Sequence, residues 1–156
     1  MSKGSPLDVW RFLVGEWKST SKDQFGEKGV IEGVAVTSLE PSDSFIMTKG
    51  ESWCEGRLLN KSVSLLFYDA VEQKFKRKTF FSYGFVNNEV ECFRNANEIK
   101  FDVTMEPLPK QFGGTRWRSY IRKISENTIA TGLETAEGEE AFKNYGESIA
   151  TRSKPE

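Results

Sequence analysis

A glycine and a tryptophan near the beginning of the chain, together with an arginine near its end, constrain the fold most. Gly15-Glu16-Trp17 opens the first candidate strand, and Arg152 closes the last one. An arginine side chain can lie across an indole ring as a cation–π contact, which would bring the first and last strands side by side. Since such a pairing leaves no free sheet edge, it predicts a closed antiparallel β-barrel, and a barrel of this size usually encloses a cavity.

Short runs of alternating apolar and polar residues fill most of the chain. In one of them Ile99, Phe101, Val103 and Met105 alternate with polar residues, which is typical of a strand with one buried face. Such runs predict strands at 16–22, 29–39, 44–53, 58–68, 74–82, 86–94, 98–106, 115–124, 128–135 and 141–153. About ten sequential strands with mostly short turns favour an all-β, up-and-down antiparallel barrel that forms one domain over residues 1–156, with the barrel itself at 15–153. A longer loop at 107–114 is expected at a barrel mouth.

A short helix is predicted before the barrel, at 5–14. Leu7, Trp10 and Val14 recur there at helical spacing, and Gly15 ends the pattern. We expect this helix to close one end of the barrel.

Composition excludes several classes of protein. With 22 basic and 23 acidic residues among 156, the chain has no electrostatic signature of nucleic-acid or anionic-membrane binding. No apolar run is long enough for a membrane span or a secretory signal, so we expect a cytoplasmic protein without membrane insertion. Histidine is absent, which removes the usual catalytic triads and histidine-bound zinc. The two cysteines are expected to be free thiols.

Turns allow the direction of side chains to be followed from strand to strand. A two-residue turn at 126–127 pairs Tyr120 with Leu133, and Arg118 and Arg122 then share the same face. Because this face carries more apolar residues than the other, it is predicted to point into the barrel.

The same reasoning applies to the neighbouring turns. The turn at 137–138 brings a phenylalanine to the inner face, and the turn at 96–97 places Glu91 outside. The inward residues predicted in this way, or by alternation within a strand, are Phe142, Cys92, Phe101, Arg77 and Phe81. The interior is therefore expected to be apolar and aromatic, with several arginines and few acids.

The segments 12–18 and 150–154 resemble the calycin superfamily, which includes lipocalins, fatty-acid-binding proteins, avidin and nitrobindin, and in particular its calycin-like domains of unknown function. The resemblance implies a structural signature in which the arginine of the last strand packs across the tryptophan of the first: Gly15, Trp17 and Arg152. Fatty-acid-binding proteins insert two helices after the first strand, and these helices form a lid. Residues 23–28 here are too few to form it.

Nitrobindins bind haem through a histidine that this chain lacks. Haem ligation by Cys54, Cys92, Met47 or Met105 is an alternative, but we expect no cofactor.

Fatty-acid-binding proteins hold a ligand carboxylate with an Arg-x-Tyr pair, which Arg118-Ser119-Tyr120 resembles. A guanidinium presents a planar pair of donors, and a phenol adds one more. The candidate ligand-binding residues are Arg118, Tyr120, Arg122, Arg77, Phe101, Phe81, Leu133 and Phe142. No catalytic or metal-binding residues are predicted.

The sequence thus predicts a barrel that binds a small, largely apolar molecule, with an anionic carboxylate-bearing ligand as one form of this hypothesis. One alternative is a filled barrel that serves as a protein interaction module or a homodimer, with an outward apolar patch. That patch would consist of Trp117, Ile121, Tyr145 and Ile149. A second alternative is an isomerase- or cyclase-type enzyme that uses tyrosine and arginine in the cavity.

Overall fold

The structure, a computed structural model, describes residues 4–40, 44–108, 110 and 113–153. Over this part of the chain a 3-10 helix (Pro6–Leu13) precedes ten strands. The strands are β1 (Gly15–Lys22), β2 (Val30–Leu39), β3 (Ile46–Cys54), β4 (Arg57–Asp69), β5 (Lys74–Phe81), β6 (Val86–Arg94), β7 (Glu98–Glu106), β8 (Thr115–Ser125), β9 (Thr128–Glu137) and β10 (Lys143–Arg152).

Each strand pairs antiparallel with the next, and β1 pairs with β10. The predicted all-β, closed up-and-down barrel is confirmed. The loop predicted at 107–114 connects β7 and β8, but residues 109, 111 and 112 lie outside the described ones. Within the described ranges, no helix has both the length and the apolar character needed to cross a membrane.

The N-terminal helix closes one end of the barrel. Ser5 caps it by accepting a hydrogen bond from the backbone N–H of Leu7, and its buried residues are Leu7, Trp10 and Leu13. The prediction that Val14 completes the apolar face is wrong. A 3-10 helix has three residues per turn, so the inward face recurs at every third residue and reaches Leu13 instead.

The floor of the barrel is the main apolar core. Phe75, Ile99 and Phe101 are completely buried there, and each such side chain contributes about 1.5–3 kcal/mol through removal from water. The core cluster contains Leu7, Trp10, Leu13, Trp17, Ile46, Leu66, Phe75, Ile99, Phe101, Ile121, Ile129 and Ala150. Because it draws on the helix and on most strands, it fixes the closed end of the barrel.

Trp17 and Arg152 join the two ends of the sheet at this floor. They are paired across β1 and β10, and the Arg152 guanidinium carbon lies 4.5 Å from the centre of the Trp17 ring. The indole N–H donates to the carbonyl oxygen of Leu13 at 2.8 Å. Gly15 has φ of 137°, and a Cβ there would lie 2.5 Å from Arg152 Nη1, so the guanidinium occupies the space that a side chain would need.

Arg152 also binds the chain ends around it through hydrogen bonds. Nη1 donates to the carbonyl oxygen of Val14 at 2.5 Å, and Nη2 donates to those of Phe12 and Glu126. Nε donates to Asn127 Oδ1 at 3.1 Å. One side chain therefore ties the helix end, β1 and the β8–β9 turn together.

β-Bulges interrupt several strand pairs. Lys123 pairs with Ile129 and Ser125 pairs with Thr128, so Ile124 is an extra residue in β8. A bulge leaves the pairing intact on both sides but reverses which residues of the bulged strand face inward. Further register shifts make Cys92 an extra residue in β6 and Tyr145 an extra residue in β10.

Candidate functional site

The barrel encloses a cavity above its apolar floor. We call its deeper part, of about 390 Å³, the inner chamber, and its outer part, of about 550 Å³, the mouth. The two parts share wall residues, including Ser19, Phe81 and Leu133, so they are continuous. The mouth lies at the end opposite the helix. Both volumes are in the range of small-molecule sites.

The wall of the inner chamber carries many short polar side chains. They come from inward-facing positions of eight strands: Ser19, Thr37, Thr48, Ser52, Asn60, Ser62, Ser64, Thr79, Asn87, Ser119 and Thr131. Several of these already bond to one another, as Thr37 does to Thr48 at 2.9 Å. Ser62, Ser64, Asn87 and Thr131, in contrast, make no side-chain hydrogen bond to another described residue. These four groups offer donors and acceptors to a ligand.

An ion pair lies in the wall of the inner chamber. Arg77 on β5 donates from Nε and Nη2 to the two carboxylate oxygens of Glu89 on β6, at 3.0 and 2.7 Å. The hydroxyls of Thr79 and Ser119 donate to the same carboxylate at 2.8 and 2.6 Å. The Glu89 side chain is 2% exposed, and its four hydrogen bonds offset the cost of burying its charge.

Aromatic side chains surround the mouth. They are Phe25, Phe81, Tyr83, Phe85, Trp117 and Tyr145. Trp117 and Tyr145 meet edge to face with ring centres 5.2 Å apart, and Phe81 stacks on Tyr83 at 5.1 Å. Such rings provide apolar contact area at little cost in side-chain entropy.

Phe25 lies in the loop between β1 and β2 and lines both parts of the cavity. A Cβ on Gly146 would come within 2.5 Å of its ring, so only a glycine there lets the ring lie against β10. Gln24 Oε1 accepts a hydrogen bond from the backbone N–H of Glu147 at 3.0 Å. This loop therefore forms a short lid at the point where the mouth meets the inner chamber.

Four of the predicted binding residues border the cavity: Arg77, Phe81, Leu133 and Tyr120, although the Tyr120 side chain extends along the outer face of β8. A fifth, Phe101, points inward but is completely buried, and the guanidinium carbon of Arg77 lies 5.0 Å from its ring centre. Phe101 therefore supports Arg77 from below. That these residues bind a ligand stays a prediction.

The predicted inward direction of Arg118, Tyr120 and Arg122 is wrong. The bulge at Ile124 pairs Tyr120 with Gly132 instead of Leu133, and all three side chains lie on the outer face of β8. Arg118 binds Asp102 at 2.9 Å, and Arg122 binds Glu147 at 3.1 Å.

Phe142 is also on the outer surface, where the predicted direction was inward. The guanidinium carbons of Arg116 and Arg118 lie 4.8 and 4.0 Å from its ring centre. The extra residue Tyr145 in β10 reverses the facing that an uninterrupted strand would have given.

Tyr120 lies across Gly132 on the outer face and donates a hydrogen bond to Glu147, while its oxygen accepts one from Asn144 at 3.1 Å. Burial raises the pKa of Tyr120 above its ordinary value of 10.0, and the bond to Glu147 raises it further. The phenol therefore stays protonated on the barrel's outer face, where its hydroxyl contacts Glu147 and Asn144.

The expectation of few inward acids is wrong as well. The bulge at Cys92 pairs Glu91, rather than Cys92, with Phe101, and it turns Glu89 into the chamber wall. Glu91 Oε1 accepts a hydrogen bond from the backbone N–H of Phe75 near the floor. The cavity consequently has a carboxylate beside its arginine.

The outward apolar patch predicted for a filled barrel is not formed. Trp117 and Ile121 are buried inside the barrel, and Tyr145 packs against Trp117. Ile149 lies apart from them, in a shallow outer groove formed with residues of β1 and of the β1–β2 loop.

The alternative haem ligands are not brought together. Met105 lines the mouth, but Cys92 is on the outer side of β6, and Met47 pairs with Leu65 on the outer face of β3 and β4. Buried Cys54 approaches the carbonyl oxygen of Lys28 at 3.2 Å. These four side chains therefore do not form a common haem site.

No family model and no curated protein matches this sequence. Among solved structures, the crystal structure of Rv2717c from M. tuberculosis is similar to this chain, with a TM-score of 0.68 over 97% of this chain and 100% of that chain. The two sequences are 12% identical, so the likeness shows the barrel fold alone.

Proposed function

We propose that this protein binds a small amphipathic organic molecule inside its barrel. The observation that carries the proposal is a continuous cavity with aromatic rings at the mouth and unpaired polar groups in the inner chamber. The apolar part of the ligand would contact the rings around Phe81 and Trp117. Its hydrogen-bonding head would reach Ser62, Ser64 and Asn87.

This arrangement matches the general pattern of small-molecule sites, in which apolar contacts supply affinity and a few polar groups fix orientation. The polar groups also argue against a permanently filled interior, because hydroxyls without partners are costly unless a ligand or water satisfies them. We further propose that the chain is a calycin-like barrel, on the strength of the contact between Trp17 and Arg152 and of the ten-strand topology.

The proposal is tested with N-phenyl-1-naphthylamine, an uncharged probe whose fluorescence rises in apolar surroundings. Ser64→Trp places an indole in the inner chamber and is expected to weaken probe binding at least about tenfold, because the ligand's space is taken. Val63→Trp is the matched control, since Val63 is the adjacent residue of β4 and faces outward.

Circular dichroism establishes that both variants fold. Equal probe affinity in wild type and Ser64→Trp would overturn the proposal, as would absence of binding to the wild type.

A further inference from the structure

The charged side chains around the cavity are arranged in pairs. In the inner chamber, Arg77 is paired with Glu89. At the mouth, Arg57 and Glu27 bind each other at 2.9 Å. Among the described residues that line the cavity, no cation lacks an acidic partner.

Arg77 is the cation that a buried ligand could reach, and Glu89 neutralises it at close range. Two of its nitrogens, Nε and Nη2, already donate to Glu89, and Nη2 also donates to Ser119 Oγ at 3.1 Å. Nη1 makes no hydrogen bond to another described residue. Arg77 can therefore donate a hydrogen bond to a ligand, but it has no uncompensated charge to offer.

This charge balance decides which ligands the chamber accepts. A carboxylate or sulfonate that entered would lose its hydration, and the negative charge of Glu89 would offset the attraction of Arg77. An uncharged carbonyl, amide or hydroxyl group has far less hydration to lose. It also finds donors in Arg77 Nη1 and Ser64, and both donors and acceptors in Asn87.

We propose that the cavity selects uncharged ligands with a carbonyl, amide or hydroxyl head, and that Glu89 determines this specificity by neutralising Arg77. The inference rests on the proposed function, because it concerns the head of the ligand bound in the same cavity. In this proposal an uncharged ligand takes the place of the carboxylate-bearing ligand predicted from the sequence.

Two probes with the same aromatic skeleton test the proposal. N-phenyl-1-naphthylamine is uncharged, and 1-anilinonaphthalene-8-sulfonate adds one sulfonate to the same skeleton. Glu89→Gln keeps the size of the side chain and one acceptor oxygen for Arg77, while Arg77 loses its counter-charge. The new amide NH2 group can donate to the hydroxyl of Thr79 or Ser119. The affinity for the sulfonate probe is expected to rise at least about tenfold, with the uncharged probe changing less than about threefold.

The double variant Arg77→Gln/Glu89→Gln is the second measurement, and it covers the case in which Glu89→Gln does not fold. It removes both charges, so its ratio of the two affinities is expected to equal that of the wild type. A loss of sulfonate binding in the double variant of about tenfold or more would show that Arg77 anchors anions in the wild type, and would overturn the proposal.

A rise of less than about tenfold in folded Glu89→Gln would overturn it as well. Both of these results leave uncharged-probe binding in the cavity, and hence the proposed function, intact. If neither probe responds to Ser64→Trp, the cavity is not the binding site and both proposals fail together.

Discussion

Replacing Arg152 with methionine tests how strongly one side chain holds the barrel closed. Methionine keeps an unbranched apolar stem that can still cover Trp17, but it removes every hydrogen-bond donor and the positive charge. The carbonyl oxygens of Phe12, Val14 and Glu126 and the side chain of Asn127 then lose their partner.

The magnitude follows from these contacts. The carbonyls of Phe12 and Val14 are part-buried, and the loss of a charged donor costs about 1–1.5 kcal/mol for each. The cation–π contact with Trp17 adds about 1 kcal/mol. Water replaces the donor at the exposed Glu126 carbonyl at little cost. We therefore expect a loss of about 3–4 kcal/mol from the free energy of unfolding, which a domain of ordinary stability survives.

Urea unfolding followed by tryptophan fluorescence and circular dichroism measures this loss. Arg118→Met is the matched control, because Arg118 also lies over an aromatic ring, that of Phe142, but binds a carboxylate that is 60% exposed, and such ion pairs contribute less than about 1 kcal/mol. If Arg152→Met costs no more than Arg118→Met, the idea that Arg152 closes the barrel is refuted.

Two further predictions concern the outer face and the lid. Because the pKa of Tyr120 is raised in the folded state, its contribution to stability is fully present below about pH 10 and declines as the pH rises beyond that value. The urea midpoint should therefore fall less between about pH 8 and 11 in Tyr120→Phe than in wild type. Equal falls in the two proteins would contradict the raised pKa of Tyr120. Phe25→Ala should raise the association and dissociation rates of N-phenyl-1-naphthylamine together, by about threefold or more in stopped-flow measurements, because the lid ring no longer narrows the passage. The exposed Phe93→Ala is its control, and unchanged rates in Phe25→Ala would exclude a gating role.

The architecture could be predicted because local signals were strong. Apolar alternation such as Ile99, Phe101 and Val103 gives each strand its period, and turn residues separate one strand from the next. The pair formed by Trp17 and Arg152 then indicated that the sheet closes. Each of these patterns depends on one strand or on one contact, so a bulge elsewhere in the barrel does not affect it.

The walls of the cavity could not be predicted in the same way. The side-chain directions predicted for β8 depend on counting residues back from the turn at 126–127. One extra residue at Ile124 reverses the inward or outward direction of Arg118 and Tyr120. Whether a bulge forms depends on the energy of the whole barrel. Without the bulge, Arg118, Tyr120 and Arg122 would all point inside. No local pattern in β8 reveals it.

In β4 the difficulty was of another kind. Val63 and Leu65 face outward while Ser62 and Ser64 face the chamber, which inverts the usual rule for a strand with one exposed face. Short hydroxyl residues at alternate positions on neighbouring strands, as at Thr48 and Ser52 on β3, were the available sign of a polar chamber. Phe25 was hidden in a loop without periodicity.

The bulge at Ile124 shows how this barrel can absorb changes in chain length. The pairs on either side of Ile124 would be the same if that residue were deleted, and Ser119 and Ile121 would still face inward. A single insertion in such a strand thus remains as a bulge at one point, because the outward ion pairs and the inward apolar side chains hold the rest of the strand in place. Related barrels can therefore differ by single residues within strands, and not only in loops, while the lining of their cavities stays the same.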